Sequence, residues 1–573
     1  MTDSLPVPAG PHPDSAAGAS CTGQAPDLAR ALTSPAAWPL VDPGTPVDHV
    51  EHLETHVSHL FFVGHRVYKV KKAVDLGFLD QSTLERRQHA CHEEVRLNER
   101  LAPGVYLGVV PITREADGSL KARGEGEIVE VAVAMHRLPA DRLLDHMLDA
   151  GQIDNARVHE LADLLAVFHQ FARTGMDVDQ YGTPEAVRAV VLGNLQQLTP
   201  FVGDDEQPAP AGVNALTPAL HDFLVERTTD FLDRHTTLLQ KRVDTGRIRE
   251  GHGDLHAGNI CCTETGLVAY DCIEFSRALR CGDVANDLAF LAMDLDSRGF
   301  RAFSRQLVRD YLDLSRDRDA GYLIGFYKTY RALVRAKVAA LTASQKRQDD
   351  PEREVERRKA MRNAQLAVSY QLPAAAVLMC GLPASGKSWL GRALAQPFEA
   401  RVLRSDVIRK QLAGLPPTTH PEGQVARQLY SEDNSRQLYR HLSERMIQAL
   451  TRGRSVVVDA MFAQRAWRRR FVDIATRLRH PVVVVHVTCD EAEVQARMQA
   501  RAVDDREVSD ADLTVYTAAA ERFETPDDLP RGLVIEHRSG DDEDRCRERL
   551  LAALIEQCRP PRPTALPAQE NPA

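Results

Sequence analysis

Two units of different class follow one another in this sequence: an α+β unit with a small sheet ahead of a larger helical lobe, then an α/β unit built on a parallel sheet. Three observations predict this. HLFFVGHRVYKVKK sets β-branched and aromatic runs on either side of Gly64-His65, the pattern of a hairpin. Residues 82–101 and most of 153–240 then carry helical spacing, with short strands and turns around 250–275. Further on, AAAVLMC (374–380), SVVVDA (455–460) and PVVVVHV (481–487) are apolar runs separated by helical text, as expected of strands buried on both faces of a parallel sheet.

Between the units lies SQKRQDDPEREVERRKAMR (344–362), almost devoid of apolar residues and therefore a natural boundary. The predicted organisation is an unstructured lead over 1–45, a first domain over 46–343, a charged linker or helix over 344–372, a second domain over 373–559, and an unstructured tail over 560–573. Lead and tail are set apart by Pro, Ala, Gly and Ser without apolar periodicity. A net charge of −10 argues against bulk binding to nucleic acid or acidic membrane. No basic-then-apolar leader and no run of about 18 apolar residues is present, so a cytoplasmic protein without a membrane span is expected. The ten cysteines show no CxxC spacing, and although four fall within 261–281, Cys261 and Cys262 would face opposite ways on a strand. Reduced thiols are expected, with no disulfide framework or zinc site.

Gly381-Leu-Pro-Ala-Ser385-Gly386-Lys387-Ser388 matches G-x-x-x-x-G-K-[ST] in full, after an apolar run and before the helical text WLGRALA. In that setting the glycines let backbone N–H groups wrap phosphate oxygens at a helix N-terminus. Lys387 then reaches the β/γ-phosphates and Ser388 ligates Mg²⁺. Asp406, in RSDVIRK after a strand expected at 401–403, is placed to take a proton from an attacking hydroxyl. Asp459, ending SVVVD, is a candidate for Mg²⁺ or for a share of the base role. Arg497 and Arg501 stand i, i+4 on a predicted helix, with Arg506 just beyond, so the first two share a face that either closes over phosphates or is simply solvated. Arg465, Arg468, Arg469 and Arg470 read first as a solvated helix face and second as an anion patch.

The first unit carries His252-Gly253-Asp254-Leu255-His256-Ala257-Gly258-Asn259, followed by Asp271 in VAYDCIEF. Kinase-type phosphoryl transfer requires a loop Asp for the acceptor hydroxyl, an Asn five residues on for Mg²⁺, and a downstream Asp for Mg²⁺ at the phosphates. Asp254, Asn259 and Asp271 stand in that order. His256 reads as a buttress of the loop.

On these motifs the first unit resembles the aminoglycoside-phosphotransferase and choline-kinase-like superfamily. The resemblance implies a bilobal, protein-kinase-like fold. It also implies that Lys69 contacts the α/β-phosphates, with Lys71 its rival on the same strand face, and that Glu94, rather than Glu93, pairs with that lysine. MHRLP (135–139) would form the adenine hinge, and Asp283 and Asp287 would support the catalytic region. One departure is that no G-x-G-x-x-G precedes Lys69 and the hairpin tip offers only Gly64. Residues 373–557 resemble the small P-loop kinases of the zeta-toxin-like and gluconate-kinase-like group, on GLPASGKS, RSDVIRK, VVVDAMF and the arginine-bearing segment. The whole pairing resembles bacterial two-domain fusions of these types. The expectation is an ATP- and Mg²⁺-dependent phosphotransferase with two sites acting on hydroxyls of small-molecule acceptors. The alternatives are an ATP-binding regulatory protein whose first domain is a pseudokinase, and a polynucleotide-end kinase.

Overall fold

The structure, a computed structural model, describes residues 25–39, 47–75, 79–421, 423–501, 513–530 and 532–559. The chain divides into two compact units, one running to Gln197 and resuming over Thr228–Arg331, the other made of Leu198–Arg227 and the chain from Ala332 onward.

The first unit opens on a six-stranded antiparallel sheet. Its strands are β1 (Glu51–Glu54), β2 (Ser58–Val63), β3 (Arg66–Lys71), β4 (Tyr106–Arg114), β5 (Leu120–Ala122) and β6 (Glu127–His136), in the order β1-β2-β3-β6-β4-β5. β2 and β3 are the expected hairpin, with Val63 opposite Arg66 and Gly64 at φ +59° in the turn, where the missing Cβ removes the steric cost. The two-residue period of β3 divides its side chains. Tyr68 and Val70 join Phe61 and Val63 in one core, while Val67 packs with Val131, Val133 and Cys91 on the other face. Lys69 and Lys71 share that second face, which is covered by the helix Leu84–Asn98. Thr83 caps this helix by accepting from the Arg86 N–H at 3.3 Å. Its buried stripe is Ala90, Cys91, Glu94, Leu97 and Asn98.

The lead is shorter than the sequence suggested. Residues 25–39 hold a helix (Ala25–Leu32) and a turn that seats Trp38, 1% exposed, against Tyr68 and Phe61 at ring separations of 4.4 and 5.7 Å. The indole N–H donates to the Leu32 carbonyl at 2.8 Å. Trp38, with Leu32 and Ala37 buried in the same core, supplies the apolar area that seats a segment whose composition argues for none. Residues 1–24, 40–46 and the tail 560–573 lie outside the described residues.

The helical lobe carries two small ribbons, β7 (Ile248–Glu250) with β10 (Cys281–Asp283) and β8 (Ile260–Thr263) with β9 (Gly266–Ala269). Behind them runs the helix Val284–Ser297, nearly all of it buried and yet carrying Asp287, Asp294 and Asp296 inside. Buried carboxylates persist only where donors meet them, and the donors here are the backbone of the HGD loop and basic side chains nearby.

In the second unit five strands, β11 (Ala376–Cys380), β12 (Arg401–Arg404), β13 (Val456–Asp459), β14 (Val482–Thr488) and β15 (Val534–Arg538), form an all-parallel sheet in the order β12-β13-β11-β14-β15. Leu378, Val458 and Val484 pack with Leu442 and Phe471 on one face, and Val377, Met379 and Val485 with Leu390 and Leu550 on the other. Continuous apolar strands are therefore what both-sided burial requires.

The segment read as a charged linker or helix is the helix Pro351–Gln371, capped by Asp350, whose carboxylate accepts from the Glu352 N–H at 2.9 Å. Its charged text covers only the first turns. From Ala360 on it buries Met361, Ala364, Ala367 and Val368. It lies along the helix Glu543–Cys558, with Arg362 at 3.1 Å from Asp544 and Gln365 donating to the Asp544 carbonyl at 3.1 Å. Residues 198–227 join the same unit: Arg353 donates to the Gly212 carbonyl at 2.8 Å, and Arg545 meets Asp205 at 3.2 Å. Among the described residues no helix is long and apolar enough to cross a membrane.

Candidate functional sites

In the first unit Lys69, on β3, meets Glu94 at 2.9 Å and Asp271 at 2.7 Å. Lys71, two residues on, meets the other oxygen of Glu94 at 2.7 Å and also holds Glu274. Both lysines therefore use Glu94, while Glu93 turns to Arg96 at 2.9 Å. Glu94 is fully buried. Burial alone would raise its carboxyl, yet the two ammonium groups bring it down to about 2. Burial likewise disfavours the charged lysines, and the surrounding carboxylates outweigh it and hold both above their ordinary value. Glu274 is the partner that sequence reasoning missed. Its signal is its position three residues after Asp271, close enough to reach the same strand face.

Asp254 and Asn259 come from the loop between β7 and β8. The Asn259 side-chain amide donates to the Asp254 carbonyl at 3.0 Å and to its carboxylate at 3.3 Å. His256 accepts from the Gly258 N–H at 3.2 Å through Nδ1, and its Nε2 lies 3.6 Å from the Asp254 carboxylate, which suits a buttress. Asp287 accepts from the N–H groups of His252 and Gly253 at 2.6 and 2.9 Å. Burial works to raise the Asp287 carboxyl, but His169, with Arg331 and His252, holds it well below the usual range. Asp283 caps the following helix at Ala285 N–H, 2.9 Å away, and takes Arg242 through both oxygens at 2.7 and 2.8 Å. Asp271 stands at φ +62°, a left-handed conformation that Asp tolerates better than most side chains, with its N–H donating to the Tyr106 hydroxyl at 3.2 Å. Its carboxylate remains about half exposed.

In the second unit the loop after β11 turns through three left-handed residues, Gly381 (φ +147°), Ala384 (φ +59°) and Gly386 (φ +94°), before the helix Lys387–Ala395. At Gly381 the fit is tight: a Cβ would stand 2.4 Å from the Val487 carbonyl oxygen. The Ser385 hydroxyl is buried without a hydrogen-bond partner, and Lys387 donates to the Leu382 carbonyl at 2.9 Å. Arg497 donates to the Ala384 carbonyl at 3.1 Å and to Ser539 at 2.8 Å, so it stands beside the loop. Arg501 ends the same helix, Glu491–Arg501, but its side chain, like Arg506, lies outside the described residues. Asp459 closes β13 in register with Met379 and Arg404, and the Arg404 guanidinium is 3.8 Å from its carboxylate. Asp406 sits half-buried in the first turn of the helix Ser405–Leu412.

The donors at both sites, Asn259 with Asp271 and Ser388 with Asp459, are hard oxygens of the kind Mg²⁺ takes. Among the described residues there is no cluster of three or more His, Cys, Asp or Glu arranged around one point.

The arginine cluster at 465–470 has another use. Arg468 is wholly buried, donating to the Phe462 and Thr525 carbonyls at 2.7 and 2.9 Å and to Asp528 at 2.9 Å. Arg469 takes the other Asp528 oxygen at 2.9 Å, and Arg470 lies over Trp467. These contacts tie the helix to the segment 525–528 and leave little free charge for an anion.

Comparison with known proteins agrees with the division into two chemistries. Residues 65–324 match the family model described as phosphotransferase enzyme family, and residues 376–526 match an AAA domain model. An uncharacterized protein of Mycobacterium tuberculosis is 29% identical over 482 residues, covering 84% of this chain and 91% of its own length, and one of Mycobacterium bovis matches to the same degree. Among solved structures, a choline/ethanolamine kinase family protein from Mesorhizobium loti is 14% identical with a TM-score of 0.36, over 60% of this chain and 94% of its own. A gluconokinase from Sinorhizobium meliloti 1021 is 18% identical with a TM-score of 0.23, over 32% and 92%.

Proposed function

From a chain that joins a domain of the phosphotransferase enzyme family to a P-loop kinase-type domain, we infer a phosphotransferase with two working sites. Each site takes ATP with Mg²⁺ and directs the γ-phosphoryl group to a hydroxyl of a small-molecule acceptor, in the cytoplasm. The observation that carries this reading is the assembly of Lys69, Glu94 and Asp271 from three distant parts of the sequence into one ion-paired group. Such a group has no need to exist in a module that merely fills space. Lys69 supplies charge to phosphate oxygens, Asp254 orients the acceptor hydroxyl and receives its proton, and Asn259 and Asp271 hold the metal. In the second site Lys387 and Arg497 face the phosphates, Ser388 and Asp459 hold the metal, and Asp406 takes the proton. Magnesium, when bound, neutralises charge on the phosphates.

A second reading, in which the first domain binds nucleotide without turning it over, is favoured by the bare hairpin tip, where Gly64 is the one glycine. The test is ATP turnover across a panel of hydroxyl-bearing metabolites, comparing wild type, Asp254→Ala and Lys387→Ala. Two working sites require each substitution to remove a different acceptor-dependent activity. If Lys387→Ala removes all turnover and Asp254→Ala none, the first domain is a binding module.

A further inference from the structure

The HGD turn is held from two sides, and only one of them lies within the matched phosphotransferase region. On the amide side, Asp287 accepts from His252 and Gly253. On the carbonyl side, Arg331 donates through Nη1 to the Gly253 oxygen at 2.8 Å. Its Nε donates to the Asn286 side-chain oxygen at 2.7 Å, and its Nη2 lies 4.0 Å from Asp287. The guanidinium is stacked over Phe290 at 4.6 Å, and the residue is 6% exposed. Arg331 belongs to the helix Ala320–Gln345 and lies beyond residue 324, where the family match stops.

Gly253 cannot shift freely to compensate. It stands at φ +84°, and a Cβ there would come within 2.9 Å of the Leu279 carbonyl oxygen and 3.0 Å of the Arg280 Cα. Its peptide links directly to Asp254, so the Gly253 carbonyl sets where that side chain starts. A planar fork with fixed donors suits this task. A lysine keeps the charge but cannot hold Gly253, Asn286 and the Phe290 face together.

We propose that Arg331 is a positioning residue of the first site: it fixes the Gly253 carbonyl and thereby aims Asp254 at the acceptor hydroxyl. The proposal rests on the reading of Asp254 as the acceptor-facing carboxylate. Misplacement of such a group by about 1 Å costs on the order of 100-fold in turnover, whereas nucleotide contacts made by Lys69 and Asp271 are left alone.

The experiment uses the full chain carrying Lys387→Ala, which silences the second site, with ATP as donor and water as acceptor. Release of labelled phosphate, the dissociation constant for ATP and the melting temperature are measured for Arg331→Lys, Arg331→Ala and Asp254→Asn. The expected result for Arg331→Lys is a fall in kcat of about 100-fold with ATP affinity within about twofold of the parent. Added guanidinium should restore part of the turnover of Arg331→Ala. Unchanged turnover in Arg331→Lys overturns the proposal, as does a parallel loss of turnover, ATP affinity and melting temperature without rescue, which marks a purely structural residue. Turnover that survives Asp254→Asn overturns the underlying reading of the site, and the role of Arg331 falls with it.

Discussion

Lys69 puts its ammonium 2.7 Å from a carboxylate oxygen of Asp271, a residue 202 positions further along the chain. The pair joins the sheet to the irregular segment just past β9, and Glu94 completes it from the helix Leu84–Asn98. The two lysines of β3 differ in their surroundings. Lys69 lies between the buried Glu94 and the half-exposed Asp271. Lys71 is locked between two carboxylates and almost wholly buried.

Lys69→Met is expected to lower first-site turnover by about 100-fold, the scale for removing one charge that faces a transferring group. Lys71→Met is expected to act on stability, because it takes the cation from Glu274 and from one oxygen of the buried Glu94, at about 3–5 kcal/mol. Labelled-phosphate transfer in a Lys387→Ala background and denaturant titration separate the two.

Acid titration should report on Glu94. Its folded-state carboxyl is held at about 2 against an ordinary 4.5, so its contribution to stability is complete above pH 4.5 and is lost as pH falls towards 2. Glu94→Gln removes that dependence. The variant is expected to be less stable than the wild type at neutral pH, with a flatter loss of stability between pH 4.5 and 2 by circular dichroism. An unchanged slope contradicts the ion-paired assignment.

Gly381→Ala should abolish nucleotide binding by the second unit. The new methyl meets the Val487 carbonyl at 2.4 Å in a left-handed backbone that alanine resists. Calorimetric titration with ADP should then register the first site alone.

Within the arginine cluster, Arg468→Ala should destabilise the second unit by about 3–5 kcal/mol, since it leaves one oxygen of the buried Asp528 and the Phe462 and Thr525 carbonyls without their donor. Arg470→Ala should cost under about 0.5 kcal/mol. Urea midpoints of the two variants check this, and equal midpoints contradict the buried tie.

What could be read from the sequence is what depends on short-range pattern. The strand–loop–helix around Lys387 is contiguous, and so is the spacing from Asp254 to Asn259. The alternation on β3 put Lys69 and Lys71 on one face, though it left their order of importance open, because both find Glu94. Trp38 escaped because composition speaks for a whole segment, whereas here a few buried residues, Leu32, Ala37 and Trp38, decide for their neighbours. Arg468 escaped because a run of arginines on a helix looks solvated until the partner, Asp528, is known. Glu274 lies outside the familiar motifs, its one signal being its nearness to Asp271, and only the folded arrangement brings Arg331 to Gly253. Residues 198–227 carry no pattern that tells helical text of one unit from that of the other.

That last segment has a consequence for synthesis. Residues 198–227 leave the ribosome before Thr228–Arg331 and before all the rest of their own unit. At about 5–20 residues per second, the roughly hundred intervening residues impose a wait of some 5–20 seconds. By the end of that wait the whole of the first unit has been made while the segment that interrupts it still lacks the rest of its own unit. The nascent chain must therefore keep Phe201, Val213, Leu216 and Leu220, all buried in the finished protein, away from premature partners. Birth order and folding order are out of step in this segment.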